Sequence, residues 1–166
     1  MPYINKSYLY NYIRDGYYGG ITEVYKPYGK DLVYIDVNSL YPYAGLNSMP
    51  GIHCEYLESL DLKGLDINNL FGFFHAKVKT NNLYLGLLPL RQNNQLIFPN
   101  GEFEGIWCSE ELKFAKSKEY DIQILDGYNF NKVDNLFNNY INYIYNLKKN
   151  SKGGLRFVYK SLLNNL

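Results

Sequence analysis

The chain reads as α+β, because its strand-like and helix-like stretches are segregated rather than alternating as βαβ units. Three stretches carry that reading. "GFFHAKVKT" (72–80) alternates apolar and polar residues, as a half-buried strand does. "NQLIFPNGEFEGIW" (94–107) divides into short strands around turns at Asn93-Asn94 and Pro99-Asn100-Gly101. Residues 133–149 instead place Leu136, Phe137, Tyr140, Ile141, Ile144 and Leu147 at three- and four-residue steps, the core stripe of a long amphipathic helix.

The remaining elements follow in order. Residues 5–15, "NKSYLYNYIRD", carry helical spacing at Leu9, Tyr12 and Ile13 and stop at Gly16. "YYGG" (17–20) predicts a turn, since glycine admits positive φ and close backbone approach. "ITEVYK" (21–26) and "LVYIDV" (32–37), with "PYGKD" between them, predict a hairpin that delivers Asp36 to a sheet end. "LGLLPL" (85–90) suggests another short strand. Ser109 is the expected cap of a helix carrying Glu110 and Glu111 in its positive first turn. "YDIQILDGY" (120–128) predicts a strand. A loop at 150–154 separates the long helix from a last one beginning near Leu155.

Bulk properties bound the function without choosing it. With 166 residues, 46% hydrophobic and 20% charged, the chain suits one ordinary globular domain. No apolar run approaches the roughly 20 residues that span a bilayer, so no membrane partner is expected. The opening "MPYINKSYLYNYIRDG" does not read as a secretory or transit peptide, which leaves synthesis inside an organelle open. A formal charge of +1 neither demands nor excludes nucleic acid, and a nucleic-acid binder would need a local basic patch. Cys54 and Cys108 lack metal-ligand spacing and read as buried thiols, while His53 and His75 read as surface or satisfied histidines. Phe73, Phe74, Phe98 and Trp107 read as core. The 19 tyrosines, with abundant Asn, Ile and Lys, are the mark of A/T-rich codons.

One carboxylate stands out. In "VYIDVNSLYPYAG" (33–45), an apolar run leads to Asp36 and a turn follows at once. A lone acid in such a place usually caps a turn. It also suits Mg²⁺, which prefers oxygen ligands and takes one or two protein carboxylates alongside phosphate and water; the Val37 carbonyl could add an oxygen. The "NSLY" backbone could then offer N–H groups to a triphosphate, as anion-binding nests do.

"DVNSLYP" (36–42) resembles the first polymerase motif of family B DNA polymerases, D-x-x-S-L-Y-P, and is most similar to the protein-primed branch of phages and linear mitochondrial plasmids. "YYGG" (17–20) resembles that branch's Y-x-G-G element, and "KSLLNNL" (160–166) resembles the start of its K-x-x-x-N-S-x-Y-G fingers motif. "GIWCSEELKFAKSKEYDIQILDGYNF" (105–130) looks like the stretch between those motifs in organellar members. The likeness spans nearly the whole chain, in the right order.

The resemblance implies a partial palm over 1–50, an inserted region of small strands over 51–128 that meets priming protein and DNA, and truncated fingers helices over 129–166. It implies Asp36 and Val37 as ligands of Mg²⁺, with Asp36 catalytic in two-metal nucleotidyl transfer. Ser39, Leu40, Tyr41, Arg156, Lys160 and Asn164 would meet the incoming dNTP, and Tyr41 would exclude a 2′-hydroxyl by bulk. Arg156 and Lys160, four residues apart, share one helical face. Tyr17, Gly19 and Gly20 would contact the template strand. Implied partners are template and primer DNA, dNTP and a priming terminal protein. The implied setting is the mitochondrion, or else a cytoplasmic plasmid or virus.

The departures bear on activity. Asn165 stands where the family pattern has Ser, and the string stops before the expected Tyr-Gly. The Asp-Thr-Asp element that supplies a second metal carboxylate does not occur, so these 166 residues alone are not expected to polymerise DNA. The competing readings are a remnant that only binds nucleic acid, a decayed reading frame, and a Tyr-rich structural or carbohydrate-binding module.

Overall fold

The fold is α+β, seen in a computed structural model that describes residues 6–20, 24–58, 64–80, 86–93 and 95–166. The chain divides into two compact units, Met1–Ile21 with Pro50–Asn131 and Thr22–Met49 with Lys132–Leu166.

In the first unit, helix α1 (Ser7–Asp15) ends at Gly16, as the spacing predicts. Gly16 is there for room: a Cβ would come 2.9 Å from the Phe73 ring. Strands β1 (Met49–Leu57), β2 (Gly72–Lys79), β5 (Glu102–Cys108) and β6 (Asp121–Val133) form one sheet in the order β1-β6-β2-β5. β2 pairs antiparallel with both neighbours, placing Phe74 opposite Trp107 and His75 opposite Asp126. Its alternation is real, with Phe74, Ala76 and Val78 fully buried. The short hairpin of β3 (Leu90–Gln92) and β4 (Gln95–Ile97) forms a separate ribbon.

Helix α3 (Ser109–Ser117) covers the sheet, adding Leu112 and Ala115 to a core of Phe74, Ala76, Val78, Leu88, Trp107 and Tyr120. Trp107 is wholly buried, and its indole N–H donates to the Pro89 carbonyl at 2.7 Å. That satisfies the single polar group of the largest core side chain.

In the second unit, α2 (Leu40–Ala44) is a short turn of helix, and α4 (Asn138–Lys149) packs on α5 (Gly153–Asn164) as a helical hairpin. Ile141, Ile144 and Leu163 are its buried centre, flanked by Leu46, Phe137, Leu147 and Tyr159. The Tyr140 hydroxyl donates to the Leu162 carbonyl at 3.0 Å across the hairpin.

Several expectations need correction. Residues 32–37 are not a strand: Leu32, Val33, Tyr34 and Ile35 are more than four-fifths exposed and no ladder is formed. Alternation marks a segment able to pair, but a strand also needs a neighbour to take its N–H and C=O groups. Val24–Lys26, from the other half of that hairpin, are likewise irregular, and Ile21–Glu23 lie outside the described residues. Asp36 therefore sits in exposed irregular chain rather than at a strand end.

"LGLLPL" contributes only Leu90 to a strand, and Leu85 lies outside the described residues, as does Asn94 of the expected Asn93-Asn94 turn. Ser109 does not cap α3. Cys108 precedes the helix, and its N–H donates to the Glu111 carboxylate at 3.2 Å. The Ser109 hydroxyl is buried and accepts from the Gly72 N–H at 3.1 Å, tying helix to sheet. The long helix begins at Asn138, because β6 runs on to Val133. Leu136 therefore falls in the intervening turn, and Leu136 and Tyr140 are exposed. Cys54 is exposed and Cys108 half-buried, so neither is the fully buried thiol expected. His53 is on the surface, and His75 faces Asp126 at 3.2 Å and Glu104 at 3.8 Å.

Candidate nucleotide and template sites

Two groups of residues have the geometry of sites, one in each unit. In the second unit, the chain after Asp36 turns through Ser39 in the left-handed region, φ 58° and ψ 44°, before entering α2. A residue with a Cβ rarely adopts that conformation, and where it does the surroundings must hold it there. Here the Lys148 ammonium donates to the Ser39 hydroxyl at 2.6 Å, across 109 residues of sequence.

Lys148 leads to the other cations. Its pKa lies below the ordinary lysine value, through burial first and then the positive charges of Arg156 and Lys160. α4 packs on α5 closely enough for Arg156 and Lys160 to act on the ammonium that holds Ser39. Lys148 also lies 4.8 Å from the centre of the Tyr145 ring. No ion pair within 4 Å engages Arg156, Lys160 or Lys148 among the described residues. Such a cluster of positive charge without carboxylates suits a polyanion.

The sequence-predicted residues distribute as follows. Ser39 is half-buried, whereas Asp36, Val37, Leu40 and Tyr41 on the same turn are exposed, Tyr41 by 75%. Arg156 and Lys160 are exposed one turn apart on α5, and Asn164 lies exposed at that helix's last residue. α2 packs against α5, which brings the Ser39–Tyr41 turn to the helix that carries both cations. Lys148 is the residue that motif reading missed. A usable signal existed: two antiparallel helices joined by a short loop bring the end of one beside the start of the next.

Asp36 offers one exposed carboxylate, and the exposed Val37 that follows it offers a backbone carbonyl. Both are hard oxygen donors that fit Mg²⁺, leaving most of its six positions to phosphate and water. No group of three His, Cys, Asp or Glu side chains with metal-binding geometry occurs among the described residues.

In the first unit, "YYGG" leaves α1 as an irregular turn with Gly19 at φ 68°. The two tyrosines diverge. Tyr17 is 67% exposed, while Tyr18 is half-buried and donates its hydroxyl to the Ile106 carbonyl at 3.0 Å. The Tyr18 phenol is pushed up to about 12, by burial first, with Glu111 and Asp15 adding and Arg91 opposing. The Arg91 guanidinium donates to the Tyr17 carbonyl at 2.8 Å and lies 5.7 Å from the centre of the Tyr18 ring. Behind the turn, the Tyr12 hydroxyl donates to Asp126 at 2.7 Å and accepts from the His75 N–H at 2.9 Å. That polar knot fixes α1 to β2 and β6, and burial together with the Asp126 bond raises the Tyr12 phenol far above the ordinary range.

Comparison with known proteins gives these arrangements a family. A family model described as DNA polymerase type B, organellar and viral, matches residues 1–166. A protein named "Probable DNA polymerase" from Podospora anserina is 52% identical over all of this chain, and one of the same name from Neurospora intermedia is 37% identical over 97% of it. The chain spans 14% and 18% of the lengths of those relatives. Among solved structures, Phi29 DNA polymerase complexed with primer-template DNA and incoming nucleotide substrates is similar over 96% of this chain and 30% of its own length. Its TM-score is 0.73 at 19% identity, a likeness of fold. Matched over its whole length, this chain belongs to the organellar and viral type B DNA polymerases.

Proposed function

We propose that the second unit supplies the incoming-nucleotide side of a polymerase active site, and that the "YYGG" turn supplies a template contact. The single observation that carries the first part is the Lys148–Ser39 contact, with Arg156 and Lys160 close enough to depress the Lys148 pKa. In this reading Lys148, Arg156 and Lys160 bind the triphosphate, and the Ser39–Leu40 turn fixes its place. Tyr41 lies beside the sugar, where its ring would obstruct a 2′-hydroxyl, and Asn164 lines the new base pair.

Asp36, with the Val37 carbonyl, would hold Mg²⁺, which when bound neutralises phosphate charge as the primer hydroxyl attacks. These residues make up one half of a two-ion ligand set, since one carboxylate cannot hold two ions about 4 Å apart. The 166 residues alone are therefore expected to bind a nucleotide without extending a primer.

The relatives' names and the Phi29 complexes with primer-template DNA and nucleotides support template, primer and dNTP as partners. A protein-primed start, with a terminal protein meeting the region 51–128, follows from the motif likeness to that branch. The family's organellar and viral description and the A/T-rich codon signature support residence in a mitochondrion, on a plasmid or otherwise. No described helix is long and apolar enough to cross a membrane.

The test is calorimetric titration of the chain with dTTP, with and without Mg²⁺. Wild type should bind more tightly with Mg²⁺, and Asp36→Ala should lose that difference. Lys148→Ala should weaken binding about tenfold, the scale of one charge-assisted hydrogen bond. Equal affinities for all three proteins would overturn the reading.

A further inference from the structure

The "YYGG" turn is held by a residue outside its motif. Arg91, on the β3–β4 hairpin, reaches across 74 residues to donate to the Tyr17 carbonyl at 2.8 Å, with its guanidinium 5.7 Å from the Tyr18 ring centre. The side chain is exposed and has no carboxylate partner within 4 Å among the described residues. An arginine carries five N–H donors in a fixed fork, and the Tyr17 carbonyl takes one. Tyr17 itself is 67% exposed, and Gly19 follows at φ 68°, which leaves the backbone open to close approach. A cation, an exposed aromatic face and a bare backbone are the three parts of a single-strand binding surface.

We propose that Arg91 is part of the single-stranded DNA contact surface: it positions the "YYGG" turn through the Tyr17 carbonyl and gives its remaining donors to a backbone phosphate. This rests on the template-contact reading above. The Tyr18 hydroxyl, by contrast, faces the charges of Glu111 and Asp15 and bonds to Ile106. The strand is thus placed on the Tyr17 side of the guanidinium, where the exposed tyrosine lies. Tyr17 gives a stacking face that is indifferent to salt, and Arg91 gives a charge that is not.

Anisotropy titrations of the 166-residue chain with a labelled oligo(dT) over a range of salt concentrations separate these roles. Each phosphate neutralised on a single strand contributes about 0.7 to the slope of log affinity against log salt. Arg91→Ala should bind about tenfold more weakly and flatten the slope by about that amount, with Arg91→Lys restoring the slope but only part of the affinity. Tyr17→Ala should weaken binding at unchanged slope. An Arg91→Ala slope equal to wild type sinks the phosphate role, even if its melting temperature falls. Wild type that binds no oligo(dT) overturns the template-contact reading as well, whereas tight wild-type binding untouched by Arg91→Ala sinks Arg91 alone.

Discussion

Ser39 and Lys148 show how one residue's conformation can report a site. Serine at φ 58° is costly unless something holds it, and a lysine ammonium at 2.6 Å does so. The same ammonium would be better placed on a phosphate, because burial first, and then the neighbouring Arg156 and Lys160 charges, disfavour its protonated form. A bound polyanion would relieve that repulsion. Tyr18 makes a second residue-scale point. Its phenol is pushed up to about 12 from an ordinary 10.0, so the folded state holds the proton more tightly than the unfolded chain. The associated stability is complete below pH 10 and is lost as pH rises through about 12. Melting temperatures measured over that window should fall, and Tyr18→Phe should make the fall shallower.

Among the elements, β2 was legible because both conditions for a strand were met within reach. Its alternation put Phe74, Ala76 and Val78 on one face, and β5 and β6 lay ready to pair. "LVYIDV" has an equally apolar pattern and stays irregular, because pairing is a property of two segments and a sequence window shows one. Ser109 departs from expectation for a related reason: a serine at a helix start usually bonds its own helix, and here its hydroxyl accepts from the Gly72 N–H on β2 instead. α4 starts later than the periodicity predicts: Leu136 and Phe137 fit the helical stripe, but β6 claims the chain as far as Val133. The β5 strand also carries the residue whose loss should cost most. Trp107→Ala removes a wholly buried indole, its edge contact with Phe103 at 5.9 Å and the bond to Pro89. A destabilisation of roughly 3–5 kcal/mol is expected in chemical denaturation. A loss below 1 kcal/mol would mean that the first unit does not depend on this core.

At the scale of the whole molecule, the motifs were more legible than the architecture that holds them. "DVNSLYP" is specific in itself, "YYGG" and "KSLLNNL" lie in the right order around it, and the match over residues 1–166 bears out the family they point to. What positions the motifs is dispersed. Lys148 lies 109 residues from Ser39, and Arg91 lies 74 from Tyr17, on elements with no motif of their own. The residues proposed to meet the nucleotide belong to one compact unit and the proposed template turn to the other, so each can be examined separately. The most direct test of the nucleotide site follows the Lys148 ammonium by lysine-selective NMR while dTTP and Mg²⁺ are added. The Lys148 and Lys160 resonances should shift together, and the Lys148 pKa should climb back toward the ordinary 10.5 as phosphate oxygens take its donors. A Lys148 resonance and pKa unmoved at saturating nucleotide would rule out this nucleotide site.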